Sequence, residues 1–146
     1  YQEIGDYEKA EQSIEKAYEY YKQKYQGSKS GVLLNQYALL AYEADYFSRK
    51  KDIHSTTKLD KWFVQSFDII QQKATTESGI YAEGLENQIV YLILSKRYKE
   101  AIEKINKAKE IWDAVSGPNS LHHAQLDFLQ GKVLELTGKH KEALTY

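Results

Sequence analysis

The chain has 146 residues and a mass of 17.0 kDa, with 42% hydrophobic and 28% charged residues, a balance that suits one folded domain rather than a disordered segment. Its 20 Lys and Arg stand against 21 Asp and Glu, so there is no basic field to draw in nucleic acid or anionic lipid. Cysteine is absent, which excludes disulfides, thiolate nucleophiles and zinc–sulfur sites, and no apolar run exceeds six residues, far short of a membrane span.

One proline among many Ala, Leu, Glu, Lys and Gln favours helix over strand, and the 3.6-residue period draws six helices along the chain. The first, at about 7–25, carries Tyr7, Ala10, Ile14, Ala17, Tyr18 and Tyr21 on one side and stops at the turn "QGSKSG". The second, at about 32–48, is apolar nearly all round and expects neighbours on several sides. A polar insertion "SRKKDIHSTT" near 48–57 separates it from a third helix at about 58–74, built on Leu59, Trp62, Phe63, Phe67 and Ile70. After "TTESG" come a fourth helix at about 80–95 and a fifth at about 96–115; "SGPNS" then precedes a sixth at about 121–137. A seventh begins at Lys139. Thirteen tyrosines serve this reading as large wall residues, apolar in body and polar at the tip.

The same ladder recurs. Tyr7, Ala10, Ile14 and Ala17 are matched by Tyr98, Ala101, Ile105 and Ala108, and "GKHKEA" opens a third copy with His140 and Ala143. Ala101 and Ala143 lie 42 residues apart, while Ala10 and Ala101 lie 91 apart, two such periods with the insertion between them. A helix–turn–helix unit of this period predicts a solenoid in which each unit buries its face against its neighbours. The ladder alanines let another backbone approach, and the large residues beside them fill what remains.

The motifs "GDYEKA", "KRYKEA" and "GKHKEA", with the linker "SGPNSLHHA" at 116–124, resemble the tetratricopeptide repeat family, in its long 42-residue form found in kinesin light chains and bacterial regulators. Lys96 stands where that form has a turn glycine, and Asp127 and Gln130 stand where it has large apolar residues. The resemblance implies one all-α helix-turn-helix solenoid domain over 1–146, about three repeats in six to seven helices. Tyr1 fits the last slot of a first helix and Tyr146 falls early in a second, so the chain is expected to be the middle of a longer protein.

No reacting constellation emerges from the residues. His122 and His123, with Asp127 four positions after His123, invite a metal reading, but adjacent histidines on a helix diverge by about 100° and no third ligand follows. The simpler expectation gives one histidine to the helix-opening linker and the other to solvent. "GKVLELTGK" lacks the spacing of a phosphate loop. No cofactor, metal or catalytic residue is expected, and the charged face of 96–110 is expected to be solvated and laced by pairs such as Glu100–Lys104.

By the resemblance, first helices of successive repeats line a concave groove for a peptide. Carried over by register, the groove candidates are Asn35, Gln36, Leu39 and Tyr42; Glu86, Asn87, Val90 and Ile93; and Phe128, Lys132 and Glu135. Asn35 and Asn87 suit a peptide backbone, since a side-chain amide both donates and accepts. The slots that form the family's clamp for a terminal carboxylate hold Leu39, Val90 and Lys132; with one base among them, the groove favours apolar anchors and positive charge instead. The expected function is a non-catalytic protein- or peptide-binding scaffold, with no direct contact to nucleic acid or membrane. The alternatives are the peptide-sensing segment of a larger bacterial regulator and a spacer that self-associates through uncapped ends. These residues contain neither a signal peptide nor a transmembrane segment, which favours a cytoplasmic setting.

Overall fold

The computed structural model describes residues 7–24, 31–32, 35–36, 38–40 and 57–139. The chain is all-helical, with no strand among the described residues. Its helices are α1 (Tyr7–Lys24), α2 (Thr57–Lys73), α3 (Gly79–Leu94), α4 (Tyr98–Ser116) and α5 (Leu121–Leu136), and the described residues between 31 and 40 are helical too. The insertion before Thr57 and the ladder copy at His140 and Ala143 lie outside the described residues. None of these helices is long and apolar enough to cross a membrane. Two compact units divide the chain, Tyr1–Thr75 and Thr76–Tyr146.

In the first unit, α2 buries Leu59, Trp62, Phe63, Ser66 and Ile70, the single stripe that i, i+3, i+4 spacing produces. The helical residues from Gly31 lie against this stripe backbone to backbone. A Cβ on Gly31 would stand 2.8 Å from the Ser66 carbonyl oxygen and 3.0 Å from the Ile70 nitrogen, so only glycine fits. One turn on, Asn35 is fully buried and its Nδ2 donates to Ser66 Oγ at 3.1 Å. Ser66 Oγ in turn donates to the Phe63 carbonyl at 2.7 Å.

In the second unit, α4 packs on both α3 and α5, while α3 meets α5 only lightly. Ala101, Ile105, Ala108, Ile111 and Trp112 form the buried face of α4, and α3, which packs on α4, buries Leu85, Ile89 and Leu92. By contrast α5 buries only Leu126 and Val133. The polar residues in its packing stripe have a partner: Lys109 of α4 reaches Asp127 Oδ1 and Gln130 Oε1, each at 2.6 Å. A cross-helix polar clamp thus takes the place of apolar packing.

Helix boundaries in this unit recur at a spacing of 42 residues. Ser78 caps α3 by accepting from the Tyr81 amide at 3.3 Å, and Ser120 caps α5 by accepting from the His123 amide at 3.2 Å. At the far ends, Ser95 Oγ donates to the Tyr91 carbonyl and Thr137 Oγ1 to the Val133 carbonyl. The next residues, Lys96 and Gly138, both take positive φ, 61° and 80°. The amides of Arg97 and Lys139 then reach back to the Leu92 and Leu134 carbonyls, each at 2.8 Å, closing the same left-handed helix stop twice.

Candidate functional site

A cavity of about 450 Å³ opens in the second unit between α3 and α5, within the size range of ligand pockets. From α3 it takes Glu86, Asn87 and Val90; from α5, Leu121, Ala124, Gln125, Phe128 and Leu129. The α5 positions follow i, i+3, i+4, i+7, i+8 and so form one continuous face. That face is left open: Leu121 is 73% and Phe128 70% exposed, although both are large and apolar.

Glu86 is the only acid among the lining residues. Its Oε1 accepts from Trp112 Nε1 at 3.0 Å and lies 3.1 Å from His122 Nδ1. When Glu86 is ionised it has no hydrogen to give, and the Nδ1 beside it is then the donor. The imidazole also stacks on the Trp112 indole, with centroids 3.8 Å apart and planes 9° from parallel. Burial pushes the Glu86 carboxyl above its ordinary range; His122 and the two hydrogen bonds oppose that rise, and neighbouring Glu83 adds to it.

The groove candidates read from the sequence divide. Glu86, Asn87, Val90 and Phe128 are brought together around the cavity. Ile93 is buried, while Lys132 and Glu135 are exposed and pair with each other at 3.6 Å. Gln36 is exposed, Leu39 half-buried, and Tyr42 lies outside the described residues. Asn35 is turned inward to Ser66, because Gly31 seats the same helix face against α2.

Sequence reasoning missed Leu121, Ala124, Gln125 and Leu129. Their spacing on one helical face was a usable signal, overridden by a register that favoured Lys132 and Glu135. It missed Trp112 and His122 for another reason: they lie 26 and 36 residues from the carboxylate they hold. Neither histidine is simply solvated. His123 has Asp113 Oδ1 at 2.8 Å from Nδ1 and Asp127 Oδ1 at 3.8 Å from Nε2, on opposite edges of its ring. Among the described residues no group of three or more such side chains converges to hold a metal ion. Glu100 pairs back with Arg97, at 2.9 and 2.8 Å, and that bidentate bond holds its carboxyl below the ordinary range, with Lys104 contributing from a distance.

No protein-family model, no curated protein and no solved structure matches this chain.

Proposed function

We propose that this chain is a non-catalytic peptide- or protein-binding scaffold, built as a tetratricopeptide-like helical-repeat solenoid and using the cleft between α3 and α5 as its binding groove. The observation that carries the reading is the open cavity lined by Glu86, Asn87, Val90 and Phe128, which joins an exposed apolar anchor site to amide and carboxylate groups. A helix cap and a helix stop that each recur once, 42 residues on, support the repeat architecture. On this reading α3 and α5 are equivalent elements of successive repeats, and α4, which packs on both, is the second helix of the first.

A random-peptide display selection against the chain tests this function, run beside an Asn87→Ala/Phe128→Ser variant of unchanged helicity. Both side chains line the cavity, and neither is buried. Enriched peptides should lose at least tenfold in affinity for the variant, about 1.4 kcal/mol. Absence of enrichment, or enrichment indifferent to the variant, would refute the groove.

A further inference from the structure

The groove reading leaves open what the groove selects, and the surroundings of Glu86 supply an answer that rests on that reading. We propose that the cavity between α3 and α5 recognises peptides presenting a lysine or arginine beside a bulky apolar side chain, with Glu86 as the fixed counter-charge.

Both short bonds to Glu86 fall on one oxygen: Trp112 Nε1 and His122 Nδ1 lie 3.0 and 3.1 Å from Oε1. Oε2 has only a longer approach from His122, at 3.4 Å. Each carboxylate oxygen accepts about two hydrogen bonds, so Oε1 is saturated and Oε2 retains capacity for a further donor.

The carboxylate is also held in place before any ligand arrives. Trp112 is enclosed on two sides: His122 stacks on it at 3.8 Å, and α3 comes so close at Gly79 that a Cβ there would stand 3.1 Å from Cζ3 of the indole. The indole N–H that fixes Oε1 therefore has little freedom to move. A charged acceptor fixed in this way binds a donor without the entropic cost of ordering its own side chain.

Charge and shape then define the ligand. Among the lining residues Glu86 carries negative charge and none is lysine or arginine. Two lysines of α4 and α5 are engaged elsewhere, Lys109 with Asp127 and Gln130 and Lys132 with Glu135. A cation entering the cleft thus meets the open side of Oε2, because the adjacent base, His122, makes its short bond to Oε1. The rest of the wall, Val90, Leu121, Ala124, Phe128 and Leu129, is apolar and takes the neighbouring side chain. A neutral or acidic peptide would cover Glu86 without supplying a charged partner, an arrangement that costs affinity.

The test is a double-mutant cycle on peptides selected with the 146-residue chain. A basic residue should be enriched at a fixed position beside an apolar one. Exchanging that base for glutamine should weaken binding roughly tenfold to the wild-type chain and less than about twofold to E86Q, the contrast expected of a charge-assisted hydrogen bond. Glu86→Met, an uncharged side chain of similar length, repeats the measurement should the amide variant be unstable. Selected peptides that carry no base, or a base whose exchange costs the same on both chains, would overturn this inference and leave the groove itself standing. Failure to select any groove-dependent peptide would instead remove the groove reading beneath it.

Discussion

Glu86 and Glu100 are both carboxylates on helices of one unit, and their environments act on them in opposite directions. Arg97 lowers the pKa of Glu100 by a bidentate bond. That bond contributes stability above the unfolded-state pKa, which is lost as pH falls through the folded one. It contributes little, because the pair is solvent-exposed. Burial raises the pKa of Glu86, and the sign reverses. The folded chain then binds that proton more tightly than the unfolded chain, so stability is gained below the unfolded pKa. It is lost as pH rises from the ordinary carboxylate range through the raised value. At neutral pH an ionised Glu86 therefore burdens the fold, with His122 from α5 partly offsetting the burden and Glu83 on its own helix adding to it. E86Q keeps an oxygen for Trp112 and His122 and sheds the charge. Urea denaturation at pH 7.5 should find it as stable as wild type or more so, by up to about 1 kcal/mol, with the advantage shrinking by pH 4. A loss of more than about 1 kcal/mol at pH 7.5 would make Glu86 a structural acid rather than one retained for a ligand.

At the scale of the element, the ends of α3 and α5 are one device made with different residues. Serine caps both starts, a hydroxyl residue bonds back into both last turns, and a positive φ follows at Lys96 and Gly138. A side chain with a Cβ is disfavoured there by roughly 1–2 kcal/mol, a cost that glycine avoids at the expense of some unfolded-state entropy. Lys96→Gly should accordingly raise the unfolding free energy by about 0.5–1 kcal/mol, while Gly138→Ala lowers it by about 1 kcal/mol. Equilibrium denaturation reads both. A destabilised Lys96→Gly would mean that the lysine side chain contributes more than its backbone strain costs. The motif "KRYKEA" set beside "GKHKEA" already exposes this position, because a helix stop is a local matter of a few consecutive residues.

At the scale of the molecule, the buried face of the second unit and its proposed binding face are different surfaces. Ile105 is fully buried on the face of α4 that packs against its neighbours, so Ile105→Ala should cost about 2–5 kcal/mol. Phe128 is as apolar but 70% exposed, and Phe128→Ser should change stability by less than about 0.5 kcal/mol while weakening the selected peptides. Denaturation and binding measured on the same two variants separate the roles. A Phe128→Ser chain as unstable as Ile105→Ala would place that ring in the core.

The all-helical class, the positions of α1 to α5 and the stops of α3 and α5 were legible from the sequence alone, because period, caps and breakers act over a few neighbouring residues. Glu86, Asn87, Val90 and Phe128 were named from the sequence through the family resemblance, and all four line one cavity. Tertiary structure alone decided that Asn35 faces Ser66, that Leu121 and Leu129 rather than Lys132 complete the cleft, and that Trp112 and His122 hold Glu86. These outcomes depend on how far each helix is rotated about its own axis. That rotation is set by all its packed faces together, at contacts such as Gly31 on Ile70 and Lys109 on Asp127, and no local stretch of sequence encodes it.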